Sequence, residues 1–275
     1  GAWRTDRAPY QREIMDSFND PDIQRIVFMK SAQVGATEIL LNVIGYYIDQ
    51  DPAPMLIMQP TLQMAQAFSK DRLATMIRDS EKIRDCVKDP RSRDSGNTVL
   101  SKKFAGGNLN IVGSNSASGL ASRPIRIVLA DEVDRYEQSA GAEGDPISLA
   151  TKRTTTFWNK KIYMCSTPTI KGLSRIETAF EESDKRYYHV PCPECNESQV
   201  LKWKNVVWDE DKPETASYAC EHCGSVIDES KKQWMLKHGE WIASAPKSNT
   251  AGFHISELYS VWSTWADMAK SFLEA

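Results

Sequence analysis

A run of β-branched and aromatic residues, Arg25–Met29 (RIVFM), is separated from an apolar helical stretch, about Thr37 to Asp49, by a short turn of small residues: Lys30-Ser31-Ala32-Gln33-Val34-Gly35-Ala36-Thr37. A second strand-like run, Pro54–Gln59 (PMLIMQ), follows the helical stretch directly. Strand, helix, strand in this order is a crossover unit, which requires a parallel sheet with both faces covered. The helix is apolar nearly all round (Ile39, Leu40, Leu41, Val43, Ile44, Tyr46, Tyr47), as a buried crossover helix should be. The same rhythm continues to about Pro168. A helix is expected from Leu62 to Asp79, and a hairpin pairs Thr98–Phe104 with Asn108–Val112 across Gly106-Gly107. Ile125–Ala130 (IRIVLA), apolar but for Arg126, reads as a central strand and Lys161–Cys165 (KIYMC) as the next one. Between them Asp145-Pro146 marks a helix N-terminus, with the helix expected to reach about Phe157. The expected class is α/β: a mostly parallel central sheet flanked by helices.

After residue 185 the alternation stops, aromatic and polar residues mix, and two CxxC pairs appear. The expected organisation is a core over 1–185, a small zinc-ribbon-like subdomain over 186–245, and a helical segment over 246–275 that runs into its end, Trp265 to Ala275, with no stop signal. The 275 residues suffice for one large domain with a small appendage, and 41% apolar with 26% charged residues excludes wholesale disorder. A net charge of −3 argues against a protein that simply coats nucleic acid, so any contact with DNA must come from a local patch. No apolar run is long enough for a membrane span, and the polar N-terminus is not a signal peptide. The chain reads as cytosolic.

Chemistry concentrates in the turn after the first strand. A phosphate-binding loop needs a glycine turn, free backbone N–H groups at a helix start, a lysine for the outer phosphates and a hydroxyl for Mg²⁺. Gly35 and Thr37 fit the last glycine and the metal hydroxyl; Ala36 stands where lysine is usual, and the lysine is moved to the front of the loop as Lys30. Because such a loop curls round its phosphates, a front lysine still reaches them. The candidate nucleotide contacts are Lys30, Ser31, Gln33, Gly35, Ala36 and Thr37. Alone, the segment also reads as an ordinary strand–turn–helix. The strand Ile125–Ala130, however, delivers Asp131 and Glu132 at its end. There Asp131 would join Thr37 in holding Mg²⁺, and Glu132 would activate the attacking water. Ser166-Thr167-Pro168 follows the next strand, so its hydroxyls should reach the same sheet edge and sense the γ-phosphate. Tyr10 and Gln11 would read adenine by stacking and by the amide.

Six cysteines are present, and Cys192/Cys195 and Cys220/Cys223 are separated by 24 residues. Two such turns complete a tetrahedral Zn²⁺ site with no open position, hence structural rather than catalytic. His222 is not needed as a ligand. Lys202, Lys204, Lys231, Lys232 and Lys237 allow contact with DNA or a partner, or a plain solvated face. Trp262 and Trp265 with Leu258, Tyr259 and Phe272 form a stripe for stacking on DNA, for core packing, or for docking a following domain.

The order YQRE, KSAQVGAT, IRIVLADEVD, STPTIKG, CPEC…CEHC, GFHISELYSVWSTW resembles the large terminase subunit of tailed bacteriophages in its lambda-like branch, over nearly the whole chain. The resemblance implies a P-loop NTPase fold of the RecA/ASCE type and an ATP-hydrolysing motor that translocates double-stranded DNA into a procapsid. Its cofactors would be ATP, Mg²⁺ and structural Zn²⁺. Implied partners are the small terminase subunit, the portal protein of the procapsid and further copies in a ring, with a monomer in isolation; the implied location is the host cytoplasm. The 246–275 segment would lead into a nuclease domain that these residues do not contain, making the whole protein also an endonuclease. Many members carry an arginine where Gln33 stands. The catalytic set is then Lys30, Glu132 and an arginine from elsewhere, Arg123, Arg126 or, as the preferred choice, Arg153, or one from a neighbouring subunit. Two rival readings are a helicase-like remodeller and a zinc-ribbon nucleic-acid adaptor with an inactive loop.

Overall fold

The structure is a computed structural model that describes residues 4–87, 96–121 and 123–274. Its strands are β1 (Arg25–Lys30), β2 (Pro54–Gln59), β3 (Ser101–Phe104), β4 (Gly107–Gly113), β5 (Ile127–Asp131), β6 (Lys161–Ser166), β7 (Arg186–Pro191), β8 (Ser198–Gln199), β9 (Val206–Asp209), β10 (Lys212–Ala219), β11 (Val226–Ile227), β12 (Glu240–Ala243) and β13 (Thr250–Ile255). One sheet takes the order β12-β7-β13-β1-β6-β5-β2-β4-β3, with β8 paired to β7; β11-β10-β9 form a second, small antiparallel sheet. Pairing is parallel from β7 through β13, β1, β6, β5 and β2 to β4, and antiparallel at the margins, where β12 meets β7 and β3 meets β4.

The central strands are apolar along their middles because both of their faces are covered. Along β1, Ile26 and Phe28 enter the core on one side and Val27 the core on the other; β2 divides Met55 and Ile57 from Leu56 and Met58 in the same way. Each side chain so buried contributes about 1.5–3 kcal/mol. The helix Ala36–Asp49 lies on the first side and buries Ile39, Leu40, Val43, Ile44, Tyr47 and Ile48.

Three elements depart from the sequence expectation, and the second has a clear local cause. The Leu62–Asp79 helix is interrupted by a π-helical stretch, Phe68–Leu73. The helix begun at Asp145 stops at Lys152, five residues early, because three threonines follow Arg153. The Thr154 hydroxyl donates to Thr151 O at 2.7 Å and that of Thr155 to Lys152 O at 3.1 Å, so side chains compete for the carbonyls the helix would use. Between the CxxC pairs, where Val200–Trp208 reads as one strand, a 3₁₀ turn at Trp203–Asn205 precedes β9, and β10 follows.

The expected break at residue 185 does not interrupt the sheet. β7, β12 and β13 all lie beyond it, and β13 pairs with β1 along its whole length, Arg25↔Thr250 to Lys30↔Ile255. What leaves the sheet is the excursion between β7 and β12. The segment expected to be helical, 246–275, instead begins with β13 and reaches its α-helix only at Trp265–Leu273, with a Thr264–Asp267 capping box; Ala275 lies outside the described residues. Among the described residues, no helix is long and apolar enough to cross a membrane.

Candidate active site

Parallel register brings the carboxyl ends of β1, β2, β5 and β6 to one edge, and with them Lys30, Gln59, Asp131 and Ser166. Lys30 is only 7% exposed, and its Nζ lies 2.6 Å from Glu132 Oε1 and 3.5 Å from Thr167 Oγ1. Burial works against the ammonium, but the Cys165 sulfur, the hydrogen bond to Glu132 and the charges of Glu132 and Asp131 outweigh it and hold its pKa above the ordinary lysine value. Glu132 reaches this partner because its backbone is left-handed, φ 54° and ψ 51°, immediately after β5. For a residue with a Cβ this costs on the order of 1–3 kcal/mol, a strain that is kept where side-chain direction matters.

Asp131 is clamped from both flanking strands. Gln59 Nε2 donates to Oδ2 at 3.0 Å and the Cys165 thiol to Oδ1 at 3.0 Å. Burial pushes the Asp131 pKa up, against the two hydrogen bonds that pull it down. A carboxylate is a hard oxygen donor of the kind Mg²⁺ takes. The turn after Asp131 is latched by donors on the segment after β6. The Asp134 carboxylate accepts from the N–H and hydroxyl of Thr169 and from the N–H of Ile176, at 3.0, 3.2 and 2.9 Å. The Arg175 guanidinium likewise donates to the carbonyls of Tyr136 and Glu137 at 2.8 and 2.7 Å. Neither residue was singled out from the sequence; the acid two positions after Glu132 was the available signal.

The loop's carbonyl side is turned into the protein. Gln11 Nε2 donates to Val34 O and Gly35 O at 3.0 and 3.1 Å, the Tyr10 hydroxyl to Val34 O at 3.2 Å, and the Ser260 hydroxyl to Gln33 O. Gly35 has φ +74°, and a Cβ there would stand 2.5 Å from both Gln11 Nε2 and Trp262 Cη2, so position 35 has room for glycine alone. Gln33 is left-handed as well, at φ 57°.

This geometry revises several expectations. Tyr10 is 0% exposed, edge-on to Tyr188, and offers no face on which adenine can stack; Gln11, equally buried, props the loop from behind. The Ser166 hydroxyl is also sealed in, donating to Thr167 O and accepting from Asp134 N–H, so Thr167 is the hydroxyl that faces Lys30. Arg153 cannot serve Glu132 within one chain. Its carbonyl receives Ile125 N–H at the opposite end of β5, roughly 20 Å of extended chain from Asp131. Arg126 is tied to Asp51 at that same far edge, and Arg123, exposed, precedes Ile125. Arginines on the near side include Arg135, whose Nε lies 3.8 Å from Glu132 Oε2, and Arg72, Arg7 and Arg4, which border the cleft beside Gln33 and Thr37. That cleft, about 820 Å³, is also lined by Gly35, Glu38, Asp6, Gln233 and Trp262.

In the excursion from the sheet, the sulfurs of Cys192, Cys195, Cys220 and Cys223 all lie within 4.8 Å of one another, with Cys192···Cys223 and Cys195···Cys220 at 3.9 Å. Four sulfurs at ~2.3 Å from a tetrahedral zinc stand about 3.8 Å apart, so the cluster matches a Cys₄ site. Backbone N–H groups of Glu194 and His222 point at Cys192 and Cys220 sulfurs at 3.4 Å, as expected around thiolates. His222 turns away to Ser198 O. Of the nearby lysines, Lys232 is buried on Glu229 and Ser263 O, and Lys202 pairs with Glu221; Lys204, Lys231 and Lys237 are exposed. Trp265 and Tyr259 are core residues, whereas Phe272 is exposed.

A family model described as the phage terminase large subunit gpA, ATPase domain, matches residues 1–241. The chain belongs to this family. This terminase ATPase domain is 32% identical, over its whole length and 46% of the relative, to the terminase large subunit of Enterobacteria phage P21. It is 29% identical to that of Escherichia phage lambda, again over 46% of the relative. The chain thus spans about half the length of the curated relatives it matches. Its fold is also similar to the Thermus phage P74-26 large terminase ATPase domain, at a TM-score of 0.51 and 13% identity over 95% of this chain and 85% of that one. The terminase ATPase domain is therefore α/β, with a mostly parallel sheet flanked by helices and a zinc-ribbon-like cysteine cluster.

Proposed function

We propose that this terminase domain is an ATP-hydrolysing motor that drives double-stranded DNA into a procapsid. The supporting observation is the Lys30–Glu132 pair at 2.6 Å, a buried ammonium on a partly buried carboxylate, set between the clamped Asp131 and Thr167. Lys30 and Glu132 neutralise each other at rest. Triphosphate on the loop would draw the Lys30 ammonium to its outer oxygens and free Glu132 to accept a proton from the attacking water. Thr37 and Asp131 would hold Mg²⁺, which supplies charge neutralisation at the phosphates. Thr167, with the Asp134–Arg175 latch behind it, carries the loss of γ-phosphate into the segment 167–176. The cysteine cluster would hold one structural zinc, and Arg72, Arg135 or an arginine of a neighbouring copy would supply the charge that Gln33 lacks.

On this reading the expected partners are DNA, the small terminase subunit, the portal and further copies of the chain in a ring, in the host cytoplasm. The test is phosphate release by wild type, Lys30→Ala and Glu132→Ala, together with metal analysis of the purified protein. The reading requires both variants to fall to background and one zinc per chain. Equal rates in all three proteins overturn it.

A further inference from the structure

If the nucleotide site is read correctly, its two ends are distinguishable. Lys30, Glu132 and Thr167 mark where the outermost phosphate must lie, so the nucleoside must leave the loop on the other side. On that side, next to Gly35, Thr37 and Glu38, opens the cleft of about 820 Å³, within the size range of small-ligand sites. The aromatic surface bordering it is not Tyr10, which is fully buried, but Trp262, which is 38% exposed. The Trp262 ring packs against the loop so closely that a Cβ on Gly35 would meet it at 2.5 Å. The exposed Arg7 guanidinium lies 5.7 Å from the Trp262 ring centroid, on the same cleft. The ring is held in place by the chain that follows β13: Trp262 N–H donates to the Ser260 hydroxyl at 3.1 Å, and that hydroxyl donates to Gln33 O in the loop itself.

We propose that the indole of Trp262, with Arg7 beside it, is the wall on which the base of the bound nucleoside triphosphate stacks. This rests on the nucleotide reading above and adds the base subsite to it. Stacking needs only a flat π-face, so the wall tolerates different bases, and selectivity between purines should be weak. The tether through Ser260 to Gln33 places the base wall and the phosphate cradle on one hydrogen-bonded unit, although they come from opposite ends of the sequence.

The experiment is calorimetric titration of the full chain with two probes in Mg²⁺, the non-hydrolysable analogue adenylyl imidodiphosphate and inorganic tripolyphosphate. The variants are Trp262→Phe and Trp262→Leu; leucine fills space against Gly35 but lacks a π-face, and thermal melts check that both fold. The expected result is that Trp262→Leu binds the analogue about tenfold more weakly, that Trp262→Phe restores most of the loss, and that tripolyphosphate binding is the same in all three proteins. Equal losses for both probes would make Trp262 a prop of the loop and overturn the proposal, as would unchanged analogue binding in Trp262→Leu. If wild type binds neither probe, the nucleotide reading itself fails; if it binds tripolyphosphate but gains nothing from the nucleoside, only the base subsite fails.

Discussion

Two buried lysines, at opposite ends of neighbouring strands, show what separates the working edge of this sheet from its other edge. Lys30 closes β1 and Lys161 opens β6, at 7% and 5% exposure. Lys161 donates to the carbonyls of Asp20 and Ile23, neutral groups that satisfy its hydrogen bonds without balancing its charge, and burial lowers its pKa. Lys30 faces a carboxylate on a strained backbone and is held more basic than usual. A neutral carbonyl partner stitches a segment down and has nothing further to do. A carboxylate partner can be exchanged for another anion, and the exchange releases two reactive groups at once.

The comparison can be broken in four ways, the largest effect first. Glu132→Gln or Lys30→Met should lower phosphate release by about 10³-fold, whereas Lys161→Met should leave it within about twofold per folded molecule; comparable losses from the two lysines would erase the distinction. In denaturant titration the order reverses. Lys161→Met should cost about 1–3 kcal/mol, since the carbonyls of Asp20 and Ile23 lose their donor, and Lys30→Met should cost less, because the partly exposed Glu132 can turn to water.

A third measurement sharpens the near edge alone. Cys165→Ala removes one arm of the Asp131 clamp and should raise the Mg²⁺ concentration for half-maximal hydrolysis several-fold, with Cys165→Ser, which keeps a donor, close to wild type. The smallest effect concerns pH. Because the folded-state pKa of Lys161 is lowered, the unfolded chain holds its proton over a window reaching up to the ordinary lysine value, and stability from this group rises with pH there. The stability of wild type relative to Lys161→Met should therefore grow as pH rises toward the ordinary lysine value; a constant difference would mean that Lys161 titrates alike in both states.

Much of this contrast was legible in the residues, though unevenly. Lys30, Gly35, Thr37, Asp131 and Glu132 stand out because loop and strand-end chemistry is local: a short spacing fixes which end of a strand a side chain occupies. The four cysteines declare themselves for the same reason. What spacing does not reveal is which surface a side chain meets across the fold. Tyr10 and Gln11 have the same composition whether they face a base or prop a loop, and only the packing of Tyr188 and Trp241 around them decides. Arg153 looked available until the threonines after it ended their helix at the far edge. β13 was missed because a six-residue strand after a long excursion carries no sign of its neighbour, yet it lies against β1.

That last pairing bears on how the protein is made. A ribosome releases Arg25–Lys30 early, but one flank of this strand stays open until Thr250–Ile255 emerges, and the hydroxyl that fixes Gln33 arrives later still, with Ser260. Such distant closure is slow and leaves an apolar strand edge bare in the nascent polypeptide. Ending the polypeptide before Ser260 should therefore yield aggregates rather than a smaller working enzyme.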